Sequence, residues 1–452
     1  MVFDSAGRIQ SSGRRNKRLK ILIIAQYFPP QNAIASLRPY SWAKYWSRDK
    51  HDVSVLTIPK SPKPTDTSLS TIGFRVIEVP IPGAAYLQSV RGRKTHFNSN
   101  FSTVSYNGMS QEHAQPNTVF NLLLEKLQKR YGIFASCRMP DQLDLWCKVA
   151  FNAVKNQHWD LVVSTAWPYG VHCPAYRLKK SGIATHWIAD WRDLWVDNHI
   201  YRGLPGFRFV ERLMEKRWSQ EADAITTVSK PLAEILRRKY GNKVHVIYNG
   251  FDPEDFENLP MERVFPTDDT FRIVYTGTIY TGKRDPAPLF KAVGSLLQNK
   301  LNPEGLRIIF CGSNSDVSDI ARKYSVNNIV EYAGFLPREV ALRMQRDADA
   351  LLFLEYESEN VQGILTGKLF EYLFAGPPII GVGVSDNSSV GQLLKRTGRG
   401  ICLGINSDII AEELIRRISE KHASSQKKIM NFKSISEYSR KEQSEKMLRI
   451  LT

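Results

Sequence analysis

The segment from Glu355 to Val382 restricts the fold of this chain more than any other part of the sequence. It follows an apolar run, Ala350 to Leu354, and crosses a polar loop into a short amphipathic helix, which Gly376 ends before a second apolar run. The order strand, loop, helix, strand is typical of an α/β fold with a parallel sheet. In such sheets, ligands bind outside the carboxyl ends of the strands, where a helix N-terminus attracts phosphate.

The residues at the start of this helix have the chemistry of a nucleotide site. Thr366, Gly367 and Lys368 stand at the predicted N-terminus, and Glu371 lies one turn further on the same face. The lysine can bind phosphate, and the carboxylate can bind paired ribose hydroxyls. The alternative is that Lys368 and Glu371 form a simple ion pair on a solvated helix.

Length and charge restrict the class of protein. A chain of 452 residues, of which 42% are hydrophobic, suits two domains of roughly 200 residues each. Its formal net charge of +17 predicts an anionic partner, such as nucleic acid, anionic lipid or a phosphorylated substrate. The sequence has no zinc-finger spacing and no aromatic RNA-binding motif, so we expect no nucleic-acid partner. An anionic membrane attracts each nearby basic residue by about 1 kcal/mol.

The N-terminus and the cysteines predict a cytoplasmic protein. No apolar run approaches the roughly 20 residues of a membrane-spanning helix. The basic N-terminal residues lack the apolar core of a secretory signal. The five cysteines are an odd number without CxxC spacing, so we expect neither a disulfide framework nor a zinc site. The expected location is therefore the reducing cytoplasm, with peripheral attachment to the inner face of the membrane.

Several polar residues in the first half of the chain follow predicted strands. Arg38 lies on the helix after the first strand, and His172 follows the strand Asp160 to Thr165. Both are candidates for substrate contacts, although a salt-bridged arginine and a structural histidine are the alternatives. Between residues 82 and 117 the pattern becomes polar and aromatic, which predicts either a loop that contacts acceptor or membrane, or a mobile surface loop.

The sequence DWRDLW, from Asp190 to Trp195, follows another predicted strand. Two carboxylates and an arginine at this position are costly to bury unless they are paired or used. Either Arg192 bridges Asp190 and Asp193, or one of the carboxylates binds an acceptor or acts as a base.

The second half of the chain opens with another strand, glycine and helix. Gly277 and Thr278 follow the strand Arg272 to Tyr275, and Lys283 and Arg284 precede the next helix. Paired basic residues at this position can bind a diphosphate, while glycine lets the backbone approach it. Basic residues exposed to solvent are the alternative. The spacing excludes a Walker-type phosphate loop.

Three segments resemble retaining glycosyltransferases of the family 4 type, in particular bacterial enzymes of surface-polysaccharide synthesis. These segments are KLFEYLFAGPPII, YFPP and WIADWRDLW. The resemblance spans roughly residues 19 to 451. It implies the GT-B fold, which is α/β with two Rossmann-like domains whose parallel sheets face each other across a cleft. The final helix of that fold crosses back to the first domain.

The resemblance also implies roles for individual residues. Glu371 corresponds to the second glutamate of the family's paired signature, which binds the donor ribose; Gly363 replaces the first glutamate, and Glu357 and Glu359 are near enough to substitute. Lys283 corresponds to a lysine on the diphosphate, whereas Thr278 replaces an arginine. The implied catalytic residues are His172, Lys283 and Glu371. The implied donor-binding residues are Gly277, Thr278, Lys283, Arg284, Gly334, Phe335, Thr366, Gly367, Lys368 and Glu371. The implied acceptor-binding residues are Arg38, Asp190, Arg192 and Asp193.

The alternation of predicted strands and helices divides the chain. We predict a disordered basic arm over 1–18, an acceptor domain over 19–255, a linker over 256–270, a donor domain over 271–430 and a returning helix over 431–452.

The predicted activity is transfer of a sugar from a nucleotide-diphosphate sugar to a glycan or lipid-linked acceptor. We expect retention of anomeric configuration, no metal and no cofactor, and a role in cell-surface polysaccharide biosynthesis. One alternative is an epimerase or inverting transferase on the same fold, which would need a dedicated base. Another is a non-catalytic protein that binds sugar nucleotides, which the absent first glutamate and Thr278 favour.

Overall fold

The chain forms two parallel sheets, each covered by helices on both faces. The computed structural model describes residues 18–60, 67, 69–83, 126–127, 130–133, 137–198, 201–279, 284–298, 305–312, 317–355, 365–423 and 434–451. The predicted arm, apart from residue 18, and most of the polar segment 82–117 lie outside these ranges.

The first sheet has seven parallel strands in the order β3-β2-β1-β4-β5-β6-β7. Its strands are β1 (Lys20–Ala25), β2 (Asp52–Thr57), β3 (Arg75–Glu78), β4 (Trp159–Thr165), β5 (Ala184–Arg192), β6 (Ala224–Thr227) and β7 (Val244–Val246). The second sheet has six parallel strands in the order β10-β9-β8-β11-β12-β13. Its strands are β8 (Phe271–Thr276), β9 (Leu306–Cys311), β10 (Val330–Gly334), β11 (Ala350–Leu354), β12 (Ile379–Val382) and β13 (Gly400–Gly404).

The described helices connect these strands and cover the sheets. They are α1 (Ile34–Arg48), α2 (Trp146–Val154), α3 (His172–Lys180), α4 (Pro205–Glu221), α5 (Lys230–Tyr240), α6 (Glu254–Glu257), α7 (Ala287–Gln298), α8 (Val317–Lys323), α9 (Arg338–Asp347), α10 (Gly367–Ala375), α11 (Ser389–Thr397), α12 (Ser407–Ala423) and α13 (Arg440–Leu448). None of them is long and apolar enough to cross a membrane.

The strands are continuous apolar runs because both faces of each sheet are buried. In β1, Leu22 and Ile24 point into one core, and Ile21 and Ile23 point into the core on the opposite face. The second sheet divides in the same way, with Ile273 on one face and Val274 on the other. This alternation is the two-residue period of a β-strand, applied to a sheet without a solvent face.

The strand order locates the expected ligand sites. In each sheet the first three strands extend to one side, and the chain then crosses to the other side of the first strand. This change of direction lies between β1 and β4 in the first sheet and between β8 and β11 in the second. Side-by-side strands whose connections diverge leave a crevice at their carboxyl ends. The residues that follow these four strands are therefore the ones to examine for ligand binding.

The final helix returns to the first domain, as the sequence predicts. The indole Nε1 of Trp46 on α1 donates to the carbonyl of Ser444 on α13 at 3.0 Å. The amide of Tyr248 donates to Oε1 of Gln443 at 2.7 Å. Met447 is buried in the same core as β1. These contacts join the C-terminus to the first sheet.

The structure contradicts the expectation that the cysteines stay unpaired. Cys147 on α2 and Cys173 on α3 form a disulfide, with their Cα atoms 5.6 Å apart. Sequence spacing did not reveal this pair because it bridges two helices that meet only in the folded domain. Cys137, Cys311 and Cys402 are not part of a disulfide.

A buried ion pair fixes helix α4 to the segment that precedes α2. Arg138 donates through Nε to Oε1 of Glu211 at 3.0 Å and through Nη2 to Oε2 at 2.6 Å. Its Nη1 also donates to the carbonyls of Trp195, Val196 and Tyr201, each at 3.1 Å. Both charged side chains are almost fully buried, so each depends on the other for compensation of its charge.

Glu211→Gln should therefore lower the free energy of unfolding by roughly 3–5 kcal/mol, because it leaves the Arg138 charge buried and uncompensated. Denaturant unfolding measures the change. Glu221→Gln is the matched control on the same helix, since that carboxylate is partly exposed and 3.7 Å from Lys180; its effect should stay within about 0.5 kcal/mol. Equal stability of the two variants would contradict the role of the buried pair.

Candidate functional site

Three glycines shape the carboxyl edge of the second sheet. Gly277, Gly312 and Gly334 follow or end β8, β9 and β10, and all three have positive φ, at 118°, 132° and 70°. The amide of Gly277 donates to the carbonyl of Cys311, and that of Gly312 to the carbonyl of Gly334. A Cβ at Gly312 would lie 2.3 Å from the carbonyl oxygen of Gly277, so a side chain is excluded there. The edge is therefore bare backbone that a ligand can approach closely.

Lys368 lies above this edge. Its Nζ is 3.5 Å from the position that a Cβ at Gly277 would occupy and 3.8 Å from the ring centroid of Tyr275. The Nζ is buried and has no hydrogen-bond partner among the residues that the structure describes. Burial, and secondarily the nearby Arg284, lower the pKa of Lys368 well below its ordinary value. A buried amine without an acceptor is costly, and an anionic ligand would satisfy it.

Arg284 and Thr278 stand beside Gly277. The Nη1 of Arg284 lies 3.4 Å from the carbonyl oxygen of Thr278, which also accepts a hydrogen bond from the Tyr275 hydroxyl at 2.9 Å. The structure thus brings Gly277, Thr278, Arg284 and Lys368 together, as the predicted donor site requires. Lys283 lies outside the described residues, as do Glu357 and Glu359.

Helix α10 begins where the two domains meet. Its N-cap, Thr366, is extended and makes no side-chain cap, and its hydroxyl is buried without a partner among the described residues. A Cβ at Gly367 would lie 2.6 Å from Cγ1 of Ile34, the first residue of α1. Across the same boundary, Nδ2 of Asn249 donates to the carbonyl of Leu365 at 3.2 Å. The N-termini of α1 and α10, which follow β1 and β11, therefore face each other.

Glu371 is part of a buried cluster of four charges. Its Oε1 lies 2.8 Å from Nη2 of Arg338 and 3.6 Å from Nη2 of Arg440. The same arginines lie 2.7 Å and 3.2 Å from Oδ2 of Asp255. The cluster joins α6, α9, α10 and α13, and hence both domains.

The cluster favours the charged forms of Asp255 and Arg338 but leaves some of its members incompletely hydrogen-bonded. Burial alone would raise the pKa of Asp255, but Arg338 and Arg440 outweigh it and lower that pKa. Burial opposes the charge of Arg338, whose pKa Glu371 and Asp255 nevertheless raise. Oε1 of Glu371 and Nε of both arginines lack hydrogen bonds of good geometry among the described residues. Neither arginine was among the predicted site residues, although Arg338 follows Pro337 at a strand-to-helix turn where a ligand residue is expected.

Gly334 and Phe335 form the outer end of this edge. Gly334 ends β10, and the Phe335 side chain is 46% exposed. An exposed aromatic ring beside bare backbone offers a surface on which a planar group can stack.

In the first domain, Arg38 and Asp190 bind each other and are enclosed. Nε and Nη2 of Arg38 donate to the two oxygens of Asp190 at 2.9 Å and 2.8 Å. Nη1 donates to the carbonyls of Ile247 and Tyr248, each at 2.9 Å. Burial would raise the pKa of Asp190, but Arg38 and two threonine hydroxyls lower it. The predicted acceptor contacts of Arg38 and Asp190 are not supported by this geometry, because both side chains are buried and fully occupied.

Arg192 and Asp193 are the more accessible members of the DWRDLW sequence. Both side chains are partly exposed at the end of β5. Oδ2 of Asp193 accepts a hydrogen bond from Nε1 of Trp167 at 3.1 Å, and Nε of Arg192 has no partner among the described residues. The expectation that Arg192 bridges both aspartates is wrong for Asp190, whose ion-pair partner is Arg38. Arg192 and Asp193 remain available for a ligand.

His172 is a packing residue of the first domain. Its ring is fully buried and lies 4.2 Å from the ring centroid of Trp191. Nδ1 is 2.7 Å from the hydroxyl of Ser164. Burial lowers the pKa of His172 to about 3, which keeps the ring neutral. The structure therefore contradicts the predicted position of His172 in the cleft, because α3 turns the ring into the tryptophan core.

A buried neutral histidine makes stability depend on pH. The pKa of His172 is about 3 in the folded state and 6.5 in the unfolded state, so the unfolded state takes up the proton first. This ring therefore does not lower the free energy of unfolding well above pH 6.5. The free energy of unfolding should fall by roughly 2 kcal/mol as the pH drops to about 5. Denaturant unfolding across this range should show the loss, and His172→Gln should reduce it. His158→Gln is the control, since that ring is exposed beside Thr185; an unchanged pH dependence in His172→Gln would contradict the assignment.

Comparisons with known proteins agree with the fold and the first domain. Residues 127–255 match the family described as Glycosyltransferase Family 4. No curated protein sequence matches the chain.

Three solved structures illustrate the similarity of fold. A sucrose-phosphate synthase from Thermosynechococcus elongatus has a TM-score of 0.60 at 14% identity, covering 96% of this chain and 98% of that one. The lipopolysaccharide outer core galactosyltransferase WaaB in its apo form has a TM-score of 0.54 at 13% identity, covering 96% and 99%. A trehalose-6-phosphate protein from E. coli, bound with UDP-2-fluoro glucose, has a TM-score of 0.58 at 11% identity, covering 95% and 98%.

These findings confirm the predicted resemblance and fold. The two parallel sheets and the returning helix are the GT-B arrangement, and the family match falls on the first domain. The chain has the GT-B fold, and its residues 127–255 match glycosyltransferase family 4.

Proposed function

We propose that the protein transfers a sugar from a nucleotide-diphosphate sugar to a glycan or lipid-linked acceptor, with retention of anomeric configuration, in cell-surface polysaccharide biosynthesis. The observation that carries the proposal is the buried Nζ of Lys368 above Gly277, at the point where the connections of the second sheet diverge. This Nζ has no hydrogen-bond partner among the residues described by the structure. A cation beside bare backbone at this edge suits a diphosphate.

Each part of the donor has a neighbouring group that can bind it. Lys368 and Arg284 bind the diphosphate, together with the N-terminal turn of α10 at Thr366 and Gly367. Glu371 is one helical turn away and binds the ribose. Phe335, beside Gly334, offers its exposed ring to the base. A protein of the same fold is bound with UDP-2-fluoro glucose, which makes a uridine diphosphate sugar the first donor to test.

Retention follows from attack on the same face that the leaving diphosphate occupies. The acceptor oxygen forms a bond to the anomeric carbon as the bond from that carbon to the diphosphate oxygen breaks. The acceptor proton passes to the leaving diphosphate oxygen, so the protein needs no separate base. Lys368 and Arg284 stabilise the charge that develops on the leaving group, which is the role a metal ion has in other transferases.

The occupied side chains of the first domain support this mechanism over an inverting one. Inversion, or epimerisation, requires a dedicated base near the sugar. Asp190 is held by Arg38, and His172 is enclosed among tryptophans. Unlike Asp190 and His172, Asp193 is partly exposed, and we assign it with Arg192 to the acceptor.

The location of the acceptor sets the location of the protein. A lipid-linked acceptor for surface polysaccharide lies at the inner face of the membrane, and the net charge of +17 favours an anionic surface. We therefore propose a cytoplasmic protein that is peripheral to this membrane face.

Donor binding should depend on Lys368. At about 100 times its Kd, a matching UDP-, GDP-, dTDP- or CMP-sugar should stabilise the protein by roughly 2.7 kcal/mol, measured by thermal shift. Lys368→Met should lose this shift yet unfold no earlier than the native chain when no ligand is present, because it removes a buried amine that has no hydrogen-bond partner within the described ranges. Lys395→Met, on an exposed face of α11, is the control and should keep the shift.

Glu371→Gln should weaken the same shift, because it removes the carboxylate assigned to the ribose. If no nucleotide sugar shifts the native protein, the donor site is contradicted. If a sugar nucleotide binds but no transfer or slow hydrolysis of it is detected, the non-catalytic alternative takes its place.

The stereochemistry of the product separates the mechanisms. Proton NMR of the first product formed from an α-linked donor should show an α-glycoside. Asp193→Asn should lower the acceptor affinity, seen as a higher KM for acceptor, without changing the anomer. A β-glycoside, or a large loss of kcat in Asp193→Asn with unchanged KM for acceptor, would indicate a base at Asp193 and an inverting enzyme.

A further inference from the structure

Helix α4 buries two carboxylates and exposes several large hydrophobic side chains. Its buried face carries two carboxylates, Glu211 and Glu215. Glu211 is bound by Arg138, and Oε2 of Glu215 accepts a hydrogen bond from the amide of Val196 at 2.9 Å. Oε1 of Glu215 accepts another from the Tyr240 hydroxyl, also at 2.9 Å. Two of the three carboxylates of the helix are therefore bound inside the domain, and the third, Glu221, ends the helix 3.7 Å from Lys180.

The outward face of α4 is apolar. Four large hydrophobic side chains are exposed, by 37%, 65%, 40% and 49% of their areas: Phe207, Phe209, Val210 and Leu213. Phe209 and Leu213 are four residues apart and so lie on one stripe of the helix. A surface helix of a globular protein normally places such residues toward the core. A contiguous apolar face of this kind marks a site of interaction.

The charges around this stripe have a single sign. Between residues 201 and 220 both carboxylates are buried, so the exposed charged side chains are all cations. They are Arg202, Arg208, Arg212, Lys216 and Arg217. None of them has an ion-pair partner among the residues that the structure describes. The surface of α4 therefore combines exposed aromatic and aliphatic groups with uncompensated positive charge.

A second exposed apolar group, on α12, differs in its charges. Ile409 and Ile415 are 49% and 46% exposed. On the same helix, however, Arg416 is paired with Glu413 and Glu420. Mixed and neutralised charge gives this face no preference for an anionic surface, which makes it a matched control for α4.

We propose that α4 docks the protein on an anionic lipid bilayer, with Phe209 and Leu213 in the boundary between headgroups and acyl chains and the surrounding cations on the headgroups. A helix with a strongly basic polar rim and an exposed aromatic stripe has the chemistry of an interfacial helix. Burial of apolar side chains and attraction to anionic lipid both contribute to membrane binding. This proposal deepens the membrane part of the proposed function and names the surface that makes the contact.

Docking through α4 would place the acceptor side of the first domain at the membrane. The carboxylate of Glu215 binds the amide of Val196, in the segment that follows Arg192 and Asp193. The helix and the predicted acceptor residues thus belong to one packed unit. A lipid-linked acceptor would reach the end of β5 without leaving the bilayer surface.

The test is sedimentation with vesicles, without donor or acceptor. The native protein should bind vesicles of phosphatidylcholine and phosphatidylglycerol, and should bind pure phosphatidylcholine vesicles at least about tenfold more weakly. The double variant Phe209→Ser/Leu213→Ser should lose at least about tenfold in binding to the anionic vesicles. Arg208→Glu/Arg212→Glu should lose as much and should remove the salt dependence of binding. Ile409→Ser/Ile415→Ser should bind like the native protein.

All three substituted pairs are exposed, so thermal unfolding should show that each variant is folded. Equal binding of the α4 variants and the native protein would overturn the proposal. It would also be overturned if light scattering showed a native dimer that Phe209→Ser/Leu213→Ser converts to a monomer, because α4 would then be an interface between copies. Lys368→Met should bind vesicles like the native protein, so a failed donor site and a failed membrane surface give different results.

Discussion

The carboxyl edge of the first sheet depends on the buried pair of Arg38 and Asp190. Asp190 accepts from Arg38, from the hydroxyl of Thr165 at 2.7 Å and from that of Thr226 at 2.7 Å. Arg38 in turn binds two carbonyls beyond β7. One ion pair therefore ties α1 to the ends of four strands. An isolated charge could not remain at this depth, and the full set of hydrogen bonds is what makes the pair tolerable.

The same principle joins the two domains. Asp255, Arg338, Glu371 and Arg440 come from four elements that are distant in sequence, and their formal charges cancel. The cluster contains the carboxylate assigned to the ribose and the first residue of the returning helix. A ligand that binds Glu371 would alter the ion pairing of this cluster, because Glu371 shares both arginines with Asp255. Donor binding and the contact between domains are thus physically connected through shared charges.

Buried pairing also explains the unusual surface of the protein. Helix α4 binds Glu211 and Glu215 inside the domain and leaves its arginines outside. The ion pair with Arg138 that stabilises the fold therefore creates the basic, apolar face of α4. Stability and surface chemistry are two results of one arrangement.

The sequence patterns by themselves determined the α/β fold and the glycine-lined edge with Lys368, since apolar runs, glycine stops and helix starts are set by neighbouring residues. The return of the final helix was implied by the resemblance to a known family. Tertiary structure decided which polar residues are free. Arg38, Asp190 and His172 looked available from their positions after strands, but residues far along the chain enclose or pair them. The disulfide, the partners of Glu371 and the outward face of α4 were likewise decided by packing, because a side chain's burial depends on contacts that no local pattern records.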